Sequence, residues 1–187
     1  MRRTRWLLYA LPLVVAACSP AASPPPVVSA PAASPAPQAA PADAAFATSA
    51  AQSSLFAREL SQVAAEKSRR QGIRDFAQSV VATETQSSNR LASIAQPMGL
   101  ALPQSLTPEQ VTTVNNLTAA PDSPTFARTY FSALVRNQVG SLRQMESYAR
   151  NGTEPELKSF AADQIPILRD QLARARRVPR QRGQGGA

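Results

Sequence analysis

Between Asp43 and Arg177 apolar residues recur at intervals of three and four, in four long runs punctuated by proline and glycine, and no alternating strand pattern competes with them. Such spacing puts the apolar side chains of each run on one face of a helix. The first run, Phe46, Ala50, Ser53, Phe56, Leu60 and Val63, predicts a helix from an N-cap at Asp43 to about Arg70, ended by Gln71-Gly72. The second, from Ile73 to Ala95, carries Ile73, Phe76, Val80, Ser87, Leu91 and Ile94 and is stopped by Pro97 and Gly99. A third opens at Ser123-Pro124, carries Phe126, Tyr130, Leu134, Leu142 and Met145, and closes at Asn151-Gly152. The fourth starts at the capping-box residues Thr153-Glu154-Pro155-Glu156 and carries Leu157, Phe160, Ala161, Leu168 and Leu172 to about Arg177. Pro166 lies inside it and predicts a kink, because proline deletes one backbone hydrogen bond.

The connector from Gln96 to Ser123 should hold a short helix, since Thr107-Pro108-Glu109-Gln110 combines a capping residue, proline at the first helical position and a capping-box glutamine. Short connections within each helix pair and a long one between the pairs predict an all-α fold, a ferritin-like four-helix bundle with a long crossover between helices 2 and 3. Phe76-Ala77 and Phe160-Ala161 hint at internal duplication of the helix pair.

Ahead of this body lies a different kind of sequence. Arg2, Arg3 and Arg5 precede the apolar run Trp6 to Val15, shorter than the roughly 20 residues a bilayer span requires. The run ends in Val15-Ala16-Ala17-Cys18, which resembles the lipobox of bacterial lipoproteins. That resemblance implies a signal peptide over 1–17, a diacylglyceryl thioether on Cys18 and acylation of the new amino terminus. The membrane then becomes a partner through the lipid anchor, which holds stably once two or more chains are attached. Ser19 in place of aspartate implies sorting to the outer membrane, facing the periplasm. Ser19 to Ala42 is Pro, Ala and Ser with two valines, one glutamine and no charge, a composition that makes an extended tether. At ~3.1 Å per residue it would reach roughly 70 Å. The expected organisation is therefore leader 1–17, lipidated tether 18–42, helical domain 43–177 and a disordered basic, glycine-rich tail 178–187.

The net charge of +8 does not describe the body. All twelve acidic residues and twelve of the twenty basic ones fall between Asp43 and Asp170, so the excess comes from the leader and from Arg174, Arg176, Arg177, Arg180 and Arg182. No nucleic-acid partner is expected on that distribution, and cations at a helix end also complement its dipole. An envelope protein or a cell-wall polymer is the partner class that location suggests. The chain contains no histidine, which removes Ser-His-Asp chemistry and the commonest metal ligand. Its single cysteine, once acylated, leaves no thiol for a disulfide or a nucleophile. We expect neither enzymatic activity nor a cofactor.

Each long helix interrupts its apolar stripe once near the middle, at Glu59, Glu84, Gln138 and Gln171. Facing one another, these four would form a polar layer across the core. Two glutamates and two glutamines could make a weak site for an oxygen-ligated cation, or a structural layer that sets helix register. Ferritin-like metal sites use Glu-x-x-His pairs, whereas Gln62 and Ser87 stand three residues after Glu59 and Glu84 here.

The body also resembles a bacterial domain family of unknown function, DUF 4142, whose members are described as outer membrane proteins. The resemblance rests on Asp43-Ala44-Ala45-Phe46, Glu59-Leu60, Phe76-Ala77 with Val80-Val81, Leu102-Pro103, Phe126 with Tyr130, and Leu157-Lys158-Ser159-Phe160-Ala161 running into Ile165-Pro166. It implies a ferritin-like fold with histidines in helices two, three and four, at the positions that are Glu84, Gln138 and Gln171 in this chain. The two functions to weigh are thus a non-enzymatic envelope lipoprotein with a structural or interaction role, and a metal-binding ferritin-like stress protein with a degenerate Glu/Gln site.

Overall fold

The computed structural model describes residues 40–178. The leader, Cys18, nearly all of the tether and the tail beyond Val178 lie outside them. The described residues form five helices and no strand: α1 (Pro41–Lys67), α2 (Gln71–Ala95), α3 (Pro108–Ala119), α4 (Pro124–Asn151) and α5 (Pro155–Arg177). Among them no helix is long and apolar enough to cross a membrane.

The helix ends follow local chemistry, in places differently from the sequence expectation. Helix α3 has the full capping box, with Thr107 and Gln110 each satisfying the other's backbone amide. Ser123 caps α4 by accepting from the Phe126 amide. Asp43 is not the cap of α1: the helix begins two residues earlier at Pro41, whose missing amide costs nothing there. Nor does Gly72 break the first pair. The chain leaves α1 at Ser68, which is extended at φ −73° and ψ 132°, and Gly72 lies inside the first turn of α2. Gly99 does take the left-handed conformation, φ 67°, while the Leu100 amide reaches back to the Ala95 carbonyl and closes α2. The Thr153-Glu156 capping box does not form, because the Thr153 hydroxyl is engaged elsewhere. Helix α5 continues through Pro166, which sits on its exposed face.

Helix α1 packs antiparallel against α2, and α4 against α5. The pairs join through α1 on α4 and α2 on α5, while α3 lies along α1 and α4. Contacts between α1 and α4 fix their antiparallel register, with Ser61 against Tyr130 and Asn137 donating to the Ser53 carbonyl at 3.0 Å. The buried side of α1 consists mainly of small residues, Ala47, Ala50, Ser54, Ala57, Ser61 and Ala64, at intervals of three and four. Their size lets α2 and α4 approach closely.

The core is in two parts. One cluster includes Leu60, Phe76, Val80, Leu117, Phe126, Tyr130 and Leu134. The other includes Phe46, Leu91, Met145, Leu157 and Phe160. Polar side chains lie between them.

Candidate functional site

Three of the four mid-helix polar residues converge between the two apolar clusters. Glu84 of α2, Gln138 of α4 and Gln171 of α5 are buried to 5, 1 and 3 % residual exposure. Gln138 Nε2 donates to Gln171 Oε1 at 2.5 Å. Gln171 Nε2 faces Glu84 closely enough to hold its carboxyl pKa down, yet it lacks hydrogen-bond geometry and has no partner. Gln138 Oε1 is likewise buried and unpartnered.

Glu59 is not part of this cluster. Its side chain is 43 % exposed and pairs with the neighbouring Arg58 at 3.3 Å. The reason is angular: the buried face of α1 is centred on Ala50, Ser54, Ala57 and Ser61, and a residue next to Leu60 is carried to the flank. The position opposite Glu84 is held by Ser54 instead, whose hydroxyl also lowers the Glu84 pKa. Burial outweighs both neighbours and pushes Glu84 from its ordinary 4.5 up to about 7.

A small cavity of about 10 Å³ adjoins the cluster. Its polar lining comes from Ser54, Glu84, Ser87, Gln138, Ser141 and Gln164, and Ala50, Met145 and Leu168 contribute apolar wall. One water-sized particle fills such a space. Ser141 donates its hydroxyl proton to the Asn137 carbonyl at 3.1 Å, which leaves its oxygen lone pairs free.

A second titratable assembly lies at the end of the domain where α1 begins. Asp43 is 4 % exposed and accepts hydrogen bonds from the Tyr148 hydroxyl and from Thr153 Oγ1 at 2.9–3.0 Å. Burial raises its pKa, but the bonds from Tyr148, Thr153 and the Thr153 and Glu154 amides more than offset this and leave it below 3.8. Asp43 thus satisfies the amides at the start of α5, which has no side-chain cap of its own. Tyr148 stacks on Phe46 with ring centroids 3.7 Å apart. An open groove of about 450 Å³ runs beside this clasp. Sequence reasoning placed Asp43 as a cap of its own helix and missed this role, since its partners lie more than 100 residues away.

The described residues therefore define a class: an all-helical domain whose apolar interior is divided by a buried polar cluster built around one carboxylate. The family described as "Domain of unknown function (DUF4142)" matches residues 28–178, and the chain belongs to it. Among solved structures it is similar to the crystal structure of a DUF305 fragment from Deinococcus radiodurans, with a TM-score of 0.69 at 16 % identity, covering 78 % of this chain and 99 % of that one. At that identity the likeness concerns the fold. No curated protein matches the chain.

Proposed function

We propose that this chain is a membrane-anchored envelope lipoprotein whose helices form a ferritin-like, single-crossover four-helix bundle with a structural or interaction role and no enzymatic activity. The anchor reading rests on Val15-Ala16-Ala17-Cys18 behind a basic, apolar leader, and places the domain on the periplasmic side of the outer membrane. The ferritin-like reading draws support from the two antiparallel pairs joined by the long 96–123 connection.

The observation that carries the non-enzymatic part is enclosure. The carboxyl with the most shifted acidity, Glu84, is buried inside the bundle, and the space beside it is water-sized. A substrate cannot reach it. The other buried carboxylate, Asp43, has its acceptor capacity taken up by hydroxyls and amides, so it is not a free base. What remains for function is the outer surface and the place where the anchor holds it, for an envelope protein or wall polymer as partner.

Cys18→Ser tests the anchor: the expected result is loss of acyl labelling and release from the membrane fraction, and a variant that stays membrane-bound overturns it. Crosslinking of envelopes should then yield a reproducible protein or polymer adduct; isolation as a lone monomer counts against the interaction role.

The metal-binding stress-protein reading fares less well on the donor set. One carboxylate with amides and hydroxyls does not suit iron or another redox metal, which favour imidazole, thiolate or several carboxylates. Elemental analysis of native protein, with Glu84→Gln beside the surface control Glu59→Gln, decides it.

A further inference from the structure

The fold gathers positive charge at one pole of the helices, from segments far apart in the chain. The turn between α1 and α2, residues 67–74, contributes four cations, and the last turn of α5 contributes Arg174, Arg176 and Arg177. Arg128 stands in the second turn of α4. These segments meet: Ile73, Phe126 and Ala175 share one apolar cluster, and the Arg174 guanidinium lies 5.4 Å over the Phe76 ring. The sequence adds Arg180 and Arg182 just beyond Val178.

The carboxylates at this pole do little to neutralise it. Glu66 accepts from the Gln62 amide at 3.0 Å, Asp75 from the Gln71 amide at 2.6 Å, and Asp122 from the Arg69 backbone amide at 2.8 Å. Only Asp170 approaches a guanidinium, that of Arg174, at 3.8 Å. Arg74 ties down the turn through the Ser68 and Arg69 carbonyls. Arg69, Arg128, Arg176 and Arg177 are exposed and pair with no carboxylate among the described residues. Towards the other pole, by contrast, Arg90 pairs with Asp163 at 2.6 Å and Arg169 with Glu146 at 2.7 Å.

Helix stability does not account for this distribution. Arginines at the end of α5 complement its dipole, but cations around the start of α2 oppose the dipole there. Helices α2 and α4 both begin at this pole, and neither has an acidic residue in its first turn. Helices α1 and α5 begin at the other pole and carry Asp43 and Glu156 in theirs. Positive charge has accumulated where the helix ends are already positive, which suits an external anion.

We propose that this pole docks an anionic, carboxylate-bearing cell-wall polymer. The inference deepens the wall-polymer reading given above and rests on it. The upstream chain that carries the anchor joins the domain at Pro41, at the opposite end of α1, about 40 Å away along a helix of 27 residues. The basic pole is thus the end remote from the attachment point, turned to the layer beyond the anchoring membrane. It carries no wedge for a bilayer, since Val111 of α3 is the one large hydrophobic side chain exposed among the described residues. Its attraction is therefore one of charge.

The test takes the 187-residue chain with Cys18→Ser, so that no lipid is attached, and sediments it with purified peptidoglycan sacculi. The protein should sediment in about 0.02 M salt and be released in about 0.3 M, because the screening length falls from roughly 20 Å to about 6 Å. The joint variant Arg69→Gln, Arg128→Gln, Arg176→Gln and Arg177→Gln should bind about tenfold more weakly. Lysine at the same four positions keeps the charge and should stay within about twofold of the parent, as should Arg143→Gln with Arg150→Gln towards the opposite pole. Sacculi whose carboxyl groups have been amidated should no longer bring the protein down. The proposal is overturned by absence of sedimentation at low salt, by binding that the four-glutamine variant or amidated sacculi retain, or by equal loss in the lysine or opposite-pole variants. Tighter attachment to vesicles of phosphatidylglycerol and phosphatidylethanolamine than to sacculi would overturn it in favour of a membrane surface. No lipid anchor enters this experiment, so its failure leaves the Cys18 test as it stands, and failure of that test leaves this binding result as it stands.

Discussion

Glu84 is the residue on which the interior turns, because it is an acid placed where only its neutral or compensated form is comfortable. Its pKa lies at about 7 in the folded chain against 4.5 for an ordinary glutamate, so the folded state holds a proton that the unfolded state releases. The sign follows directly. Stability from this group is fully present below pH 4.5 and is lost as pH rises through 7. The wild-type unfolding free energy should therefore fall between those limits by on the order of 3 kcal/mol, and Glu84→Gln should remove that slope. Urea titrations at pH 5 and pH 8 check it, and a Glu84→Gln protein that keeps the wild-type slope refutes it. Asp43 has the opposite sign. Its lowered pKa contributes stability above 3.8 that is lost as pH falls through the folded value. Asp43→Asn keeps the shape but weakens the acceptors facing Tyr148, Thr153 and the α5 amides, and should cost about 2 kcal/mol at pH 7 by the same urea measurement.

At the scale of the helices, glycines that look alike in sequence have unlike surroundings. A Cβ at Gly152 would stand 2.5 Å from the Tyr148 ring, which Phe46 and Asp43 hold in place, and 2.7 Å from the Tyr148 carbonyl. Gly152 is needed for that close approach and not for its backbone angle, which is an ordinary φ of −64°. Gly152→Ala should destabilise by about 1–3 kcal/mol through overpacking. Gly140, in the middle of α4, has nothing within 4 Å of an added Cβ. Gly140→Ala should stabilise by about 0.5–1 kcal/mol, since it removes backbone freedom from the unfolded chain. Chemical denaturation of the two variants side by side reads both effects, and a shared sign would contradict the packing described. The small-residue face of α1 shows why Glu59 was misplaced by periodicity. The stripe of large apolar residues and the stripe that is buried deepest are offset, and size alone hid the second one.

Over the whole molecule, two apolar clusters meet across a polar boundary, and the chain crosses that boundary on α1, α2, α4 and α5. Helices continuous through both parts should make them melt as one. Leu60→Ala in one cluster and Leu157→Ala in the other, both at 0 % exposure, should each cost about 2–5 kcal/mol and each move a single calorimetric transition. Two transitions that respond separately would mean that the polar boundary uncouples the halves.

Sequence periodicity alone determined the helix count, most of the helix limits and the two caps at Thr107 and Ser123, because these depend on neighbours within a turn. It also brought Glu84, Gln138 and Gln171 to attention, since a polar residue inside an apolar stripe is visible on its own helix. Only the tertiary structure decided that Ser54 and not Glu59 faces Glu84, that Gln138 keeps a free acceptor beside a water-sized cavity, and that Asp43 serves α5. Those outcomes are set by the relative rotation of α1 and by contacts between residues 30 to 110 positions apart, and rotation about a helix axis is fixed by packing against neighbours, which no local pattern encodes.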